Sequence, residues 1–388
     1  MLLNVQSVYI ERFGNQPRLQ VRAPGRVNLL GEHVDYNDGP VLPAAIDRSV
    51  HLAAHPTGDG AVELYAHDFE AQVTFTPESL ADKKDHQGRP LPSWALYPAG
   101  VAWSLRDAGL EVPGIRAVYT SNIPVGAGLS SSAAVEVAFA LAWQTLGGWE
   151  LDRMTLAQLC QRAENEYVGV ACGLMDQFAS LHGVAGHVLH FDTRSLEWEA
   201  LPLPPRTTLV IADTGISRDL AASVYNQRRQ ECQQALQILK DHMPGIESWR
   251  DVSPTAIAAY SLYLPPVIRR RAEHVVKEID RVESAVNMLH REEWRSFGAK
   301  MYAAHASLRD LYEVSLPELD TLVEIARGLP GCIGARLTGA GFGGCTVNLL
   351  EEAATSDFVE RLQNSYLERT GGEVKIYLCS ASEGAKVV

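Results

Sequence analysis

The stretch APGRVNLLGEHVDYNDGPVLPAAID, Ala23 to Asp47, gathers Arg26, Glu32, His33 and Asp35 around small turn residues. A guanidinium is a planar fork of donors, carboxylates accept, and an imidazole does either. That set suits a cluster of hydroxyls better than an apolar shape. A site built to pair a hydroxyl rejects a ligand that lacks it far more strongly than it rejects a misplaced methylene. Scattered surface charge is the competing account of the same residues.

A second stretch, PVGAGLSSSAA, spans Pro124 to Ala134. Gly126 and Gly128 allow close backbone approach to a ligand, with Ala127 and Leu129 between and beside them. Ser130, Ser131 and Ser132 add hydroxyl oxygens at the start of an Ala-rich helix that begins with Ala133. GxxxxGK[ST] is absent, so this is not the common phosphate loop. The order strand, glycine loop, helix N-terminus still makes an anion site from unpaired N–H groups and the helix dipole. A ligand-free helix entry is the alternative. Magnesium held by nucleotide oxygens needs only one or two protein oxygens, and Ser132 with Glu164 is a candidate pair.

Asp176 lies in GLMDQF among Leu174, Met175 and Phe178. If buried, it requires a partner such as Arg26, and the pair would orient a hydroxyl nucleophile beside a phosphate. Phosphoryl transfer asks for this: positioning, charge stabilisation, and an Asp to accept a hydroxyl proton. An Asp capping a turn is the rival explanation. Gly339, Gly341 and Gly344 match GxGxxG, but the segment CTVNLL that follows reads as a strand rather than a helix, which argues against a dinucleotide fingerprint. Close backbone packing accounts better for these glycines. HExxH, EF-hand and GxSxG patterns are absent, and His182, His187 and His190 read as structural or surface histidines.

These groups need elements to hold them. Short apolar runs from Leu19 to Val50, broken by Pro24, Gly25, Gly31, Gly39 and Pro43, predict strands joined by tight turns. A helix is predicted from Trp94 to Ala108; Trp94 and Tyr97 share one face, to line an adenine or sugar pocket or simply to pack. IRAVYTS, Ile115 to Ser121, predicts a strand. A helix over Thr155 to Val170 carries Glu164, and a turn or short helix carries Asp176. Strands are expected at Gly186 to Phe191 and Thr207 to Asp213, and long helices from Leu220 to Leu311. The last stretch alternates helix, glycine-bounded strands, helix and the strand VKIYLC. This predicts an α+β chain of two lobes, divided near residue 200 into 1–200 and 201–388.

The chain has 388 residues and a formal charge of −13, which disfavours broad attraction to nucleic acid. No apolar run reaches membrane-spanning length, and MLLNVQSVYIERFG lacks a signal-like core, so a cytoplasmic enzyme with no membrane partner is the simplest reading. Six scattered cysteines form no CxxC pair and read as small buried hydrophobes. No protein partner is specified, and a monomer suffices.

With these residues in view, the chain resembles the galactokinase branch of the galactokinase, homoserine kinase, mevalonate kinase and phosphomevalonate kinase superfamily. GRVNLLGEHVDYNDGPVLPAAI (Gly25 to Ile46), PVGAGLSSSAA and GARLTGAGFGGCTV (Gly334 to Val347) carry the likeness in order, supported by CGLMDQF, SVYNQRRQEC and HASLRDLYEVSLPELD. The resemblance implies a two-lobed small-molecule kinase fold, with a ribosomal-protein-S5-domain-2-like N-terminal lobe, a ferredoxin-like α+β C-terminal lobe and the active site in the cleft. It implies ATP as co-substrate, Mg²⁺, and phosphorylation of the C1 hydroxyl of α-D-galactose, a small neutral sugar. Arg26 and Asp176 then match the catalytic pair, and Arg26, Glu32, His33, Asp35, Gly173, Asp176 and Tyr225 the sugar-binding positions. Trp94 and the loop from Pro124 through Gly126, Ala127, Gly128, Leu129, Ser130, Ser131 and Ser132 to Ala133 match the nucleotide site, and Ser132 with Glu164 the magnesium site. Val34, Leu96 and Asn165 depart from the family's usual Thr, Asn and His, and Asp213 to Gly215 reads DTG. A related kinase for another monosaccharide, or a weak sugar and ATP sensor, are the rival readings.

Overall fold

Pro24 has no N–H to give a neighbouring strand, and a bulge follows from it. In the computed structural model, which describes residues 4–216 and 221–388, strand Leu19–Asn28 pairs antiparallel with Pro43–Pro56, and the register shifts between Pro24 and Arg26. A bulge at a proline turns the strand and re-aims the next side chains. Here it frees the Arg26 N–H to donate to the Leu129 carbonyl at 3.1 Å, which docks the strand on the second glycine stretch.

Six strands form the first sheet, in the order Lys386–Val387, Leu19–Asn28, Pro43–Pro56, Ile115–Ser121, Val62–Ala66, Ala71–Phe75. Only the pair Val62–Ala66 and Ile115–Ser121 is parallel, and helix Ser93–Asp107 lies between them in the chain. Helix Ser131–Gly147 packs across this sheet. Its Ala, Val and Phe side chains are buried almost all round, as an apolar helix without a polar face must be. A small third sheet joins Pro40–Val41, His187–Asp192 and Trp198–Pro202.

Beyond residue 203 the chain builds a four-stranded antiparallel sheet, ordered Cys332–Thr338, Cys345–Glu351, Thr207–Asp213, Lys375–Cys379. In chain order the strands are linked as βαββαβ, the ferredoxin-like arrangement. Both faces are covered: Leu209 and Ile211 point into the main core, while Val210 and Ala212 meet helices Pro317–Gly328 and Thr355–Thr370. Long helices Ala221–His242, Pro266–His290 and Trp294–Ser307 complete this part. The expected helix start at Leu220 lies outside the described residues.

Two differences from the sequence reading matter. The helix expected over Thr155 to Val170 is an α-helix only from Arg153 to Arg162, and Ala163–Val168 widens into a π-helix. Such a turn shifts side chains around the axis and is often found at functional sites; Glu164 sits in it. Second, the chain does not stay in the second lobe to its last described residue. Lys386–Val387 crosses back to edge the first sheet, so the proposed division at 200 and 201 does not extend to the tail.

Candidate active site

Arg26, aimed by the bulge, is 4% exposed and meets Asp176 from the first turn of helix Met175–His182. The two form a fork: Arg26 Nε donates to Asp176 Oδ1 at 2.7 Å and Nη2 to Oδ2 at 2.8 Å. The remaining nitrogen, Nη1, donates to the Gly128 carbonyl at 2.8 Å. Burial pulls the guanidinium's pKa down, but Asp176, Glu32 and Asp35 together leave it above its ordinary value, so it is charged. Ser130 adds its hydroxyl to Asp176 Oδ2 at 2.5 Å. To do so Ser130 takes a left-handed conformation, φ 60°, immediately before helix Ser131–Gly147, and no side chain caps that helix. The positive end of the helix and its first N–H groups therefore face the cavity free of a cap.

On one side of this pair lie the acceptors of the first motif. Arg336, fully buried on the second lobe's sheet, donates to Glu32 Oε2 at 2.8 Å, and Asn28 donates to the same oxygen at 2.6 Å. Burial still raises the Glu32 pKa. Asp35 is pushed up to about 7, first by burial and then by the charges of Asp176 and Glu32. Its close neighbour is Gly173, where a Cβ would stand 2.1 Å from Asp35 Oδ2; only glycine lets that carboxylate sit there. The Tyr225 ring lies 5.4 Å from His33, and the same helix grips the Gly173 loop, with Asn226 Oδ1 accepting from Ala171 N at 3.3 Å and Arg229 donating to Ala171 O at 2.7 Å.

On the other side Ser132 and Glu164 line the same cavity of about 270 Å³. Gln177 Nε2 donates to Glu164 Oε2 at 2.8 Å and to Glu136 Oε2 at 2.9 Å, so one buried amide bridges two buried carboxylates. Burial first, then the Asp176 charge, lifts Glu164 to about 7, and burial with the Glu164 charge lifts Glu136 further. Glu136 Oε1 is buried without a hydrogen-bond partner. Hard oxygen donors, among them a buried carboxylate oxygen with no partner, fit a divalent cation such as Mg²⁺, whose charge would favour the ionised carboxylates. Among the described residues no group of three or more His, Cys, Asp or Glu is set to hold a metal by itself. A cation that keeps waters and nucleotide oxygens needs no such group.

The cavity thus gathers Arg26, Glu32, His33, Asp35, Gly126, Gly128, Leu129, Ser130, Ser131, Ser132, Glu164, Gly173, Asp176 and Tyr225. Four residues of the sequence reading lie outside its wall. Trp94 is half-buried with its ring 6.2 Å from Tyr119, and Tyr97, one turn on, takes the place at the cavity. Ala127 and Ala133 are buried, and Pro124 stands at the base of the loop. Of the departures from the family pattern, Val34 is fully buried, Leu96 packs on the core, and Asn165 donates to the Cys172 carbonyl at 3.2 Å, bracing the loop before Gly173. The sequence reading missed Glu136, Gln177, Tyr36, Tyr312 and Arg336. Glu136 had a signal, since it is one helical turn from Ser132 in an otherwise apolar run. Cys160, Cys232, Cys345 and Cys379 are buried, but Cys172 lines the cavity.

A glycine loop at a helix N-terminus beside an arginine-held carboxylate, set between an α+β lobe and a ferredoxin-like lobe, defines a small-molecule kinase. Residues 97–184 match the GHMP kinases N terminal domain and 285–368 the GHMP kinases C terminal region. Residues 7–56 match the galactokinase galactose-binding signature. The chain is 46% identical over 374 residues to the galactokinase of Roseiflexus sp. (strain RS-1), covering 96% of this chain and 94% of that one. It is 42% identical over 392 residues to the galactokinase of Homo sapiens, covering 100% and 97%. The crystal structure of Lactococcus lactis galactokinase complexed with galactose superposes with a TM-score of 0.93 at 33% identity, over 98% of each chain. A mevalonate kinase, at 18% identity and a TM-score of 0.63, shares the fold. The chain belongs to the galactokinase family.

Proposed function

We propose that this chain transfers the γ-phosphoryl group of MgATP to the C1 hydroxyl of α-D-galactose, giving α-D-galactose 1-phosphate and ADP. The observation that carries the reading is the placement of the Arg26–Asp176 pair, with Ser130, between an uncapped helix N-terminus and the acceptors Glu32 and Asp35 in one cavity. The loop from Gly126 to Ser132 cradles the polyphosphate on backbone N–H groups. Arg26 and Ser130 hold Asp176 so that one of its oxygens faces the acceptor hydroxyl. The hydroxyl oxygen bonds to the γ-phosphorus, the bond to the β–γ bridging oxygen breaks, and the hydroxyl proton passes to Asp176. Arg26 offsets charge on the transferring group. Ser132 and Glu164 would hold Mg²⁺, which when bound would offset charge on the phosphate oxygens. Glu32, His33, Asp35, Gly173 and Tyr225 form the sugar side. No helix among the described residues is long and apolar enough to cross a membrane; we assign the enzyme to the cytoplasm, acting on its two small substrates.

Turnover measured by sugar-phosphate formation tests the assignment. Asp176→Asn keeps the shape and removes the proton acceptor; kcat is expected to fall at least ~100-fold with the fold intact by circular dichroism. Near-normal turnover in that variant removes Asp176 from the chemistry. A panel of galactose, glucose, arabinose, galacturonate and N-acetylgalactosamine tests the acceptor, and preference for any sugar but galactose overturns it.

A further inference from the structure

Glu164 sits in the π-helical turn Ala163–Val168, where its carbonyl accepts from Gly169 N at 2.9 Å and Val170 N at 3.1 Å. Those bonds fix where its Cα stands. They do not decide which carboxylate oxygen faces the cavity, because a glutamate side chain turns about several bonds of its own. That choice falls to Gln177, fully buried and one residue past Asp176 on helix Met175–His182. Its Nε2 donates to Glu164 Oε2 at 2.8 Å, and the Cys172 sulfur stands 3.4 Å from the same oxygen. Oε2 is therefore turned to protein, and Oε1 is the oxygen left for a cation beside Ser132 in the shared cavity. An amide alone could face either way. A carboxylate that ligates a metal is ionised and only accepts, so the amide nitrogen must point at it; turned over, Gln177 would set its carbonyl oxygen against Oε2. Glu136 opposes that turn, since its Oε2 takes a second N–H of the same amide at 2.9 Å. Glu136 is fully buried on helix Ser131–Gly147, one turn after Ser132, and is not part of the cavity wall. The helix that carries one candidate metal ligand thus anchors the other through Gln177.

We propose that Gln177 and Glu136 are positioning residues that hold Glu164 with Oε1 toward the cation, so that Ser132 and Glu164, distant in the chain, are set against each other by a bridge between two helices. The proposal rests on the magnesium site assigned above. Gln177, like Glu136, is absent from the cavity wall, so neither side chain meets sugar or nucleotide. Their effect is confined to the part of nucleotide binding that depends on metal. Residues that orient a metal ligand from behind act in this way: they change how well the metal is held, and leave the remaining contacts of the ligand alone.

Calorimetric ADP affinity with and without Mg²⁺ isolates that part, with no turnover involved. In wild type Mg²⁺ should tighten ADP binding; if it does not, the metal assignment and this proposal fall together. In Gln177→Leu the tightening by Mg²⁺ is expected to shrink about tenfold, while metal-free ADP and galactose affinities stay within about twofold of wild type. A full Mg²⁺ effect in folded Gln177→Leu overturns the proposal and leaves the metal assignment standing. A matching loss of metal-free ADP affinity would mean general damage to the site and overturns it too. Glu136→Leu lets the amide turn and should lose a smaller part of the Mg²⁺ effect. Glu136→Gln keeps an acceptor for Gln177 and should hold that effect within about twofold of wild type. A loss in Glu136→Gln as large as in Glu136→Leu would make charge rather than orientation the cause, against the proposal. Should the leucine variants not fold by circular dichroism, Glu136→Gln decides alone: a retained Mg²⁺ effect supports the bridge, and a lost one overturns it.

Discussion

Two glycine-rich loops meet at the active site, and their glycines are there for different reasons. At Gly126, φ is +78° and a Cβ would meet nothing within 4 Å. The residue is glycine for its conformation, and the space above its Cα is open. At Gly341, φ is +80°, and a Cβ would stand 2.3 Å from the Val314 carbonyl, which already accepts from Phe342 N at 2.7 Å and so cannot move freely. At Gly339 a Cβ would likewise stand 2.8 Å from the Gly128 carbonyl that Arg26 also binds. The first loop is open above Gly126; the second is filled at Gly341 and Gly339, although Gly339 and Ala340 also line the cavity. Composition and spacing do not separate these two uses, whereas the space above each Cα does.

The contrast can be broken most readily at Gly341. Gly341→Ala combines left-handed strain with a backbone overlap, and its expected cost is about 3 kcal/mol or more, read as a large fall in Tm. Unchanged Tm with lost turnover would mean that the third motif works on ligand after all. Gly173→Ala is the next largest effect. Its Cβ would strike the Asp35 side chain, carboxylate and Cβ alike, rather than backbone, so the galactose KM should rise about tenfold with the ATP KM barely changed, and Tm should fall less than for Gly341→Ala. A matching fall in Tm would show that Gly173 is packed like Gly341. Gly126→Ala should lose only ~1 kcal/mol of stability, from φ alone, and raise the ATP KM several-fold. An ATP KM equal to wild type would deny that loop its proposed ligand.

Asp35→Asn is expected to have the smallest effect, and it sharpens the comparison on the sugar side. Folded Asp35 keeps its proton up to about 7, whereas an unfolded aspartate releases it near ~4. The native state therefore loses stability as pH rises across that window, and the loss is complete above it. Asp35→Asn should raise Tm by a few degrees at about pH 8, raise it less at about pH 5, and weaken galactose binding at both. A Tm difference that grows towards acid would reverse the sign and remove Asp35 from its low-dielectric setting.

Much of this architecture was legible beforehand. Thr207–Asp213 and Ile115–Ser121 begin and end where their β-branched runs do, and Gly126 to Ser132 lies between a strand and a helix as its residues require. Arg26 and Asp176 were paired from chemistry alone, a buried acid needing a base, and they meet within 2.7 Å. Hidden were features decided by distant neighbours. Val62–Ala66 and Ala71–Phe75 are short strands whose pairing is set by the sheet. The π-helix at Glu164 has no local marker. Arg336 lies 304 positions from Glu32, and nothing in either segment announces their contact. Trp94, for which the sequence allows either a pocket or packing, lies beside Tyr119, and Tyr97 one turn on lines the cavity.

The backbone passes between the lobes twice. It leaves the first after Pro202 and returns where Ser380 and Ser382 bond to Asp47 and Ala45 and Lys386–Val387 edges the sheet that carries Arg26. With these two crossings, and with one buried apolar cluster that includes Val27 and Leu29 as well as Leu337 and Val347, the strand that carries Arg26 and the sheet that carries Arg336 are locked together, and the Arg336–Glu32 pair sits inside that seam.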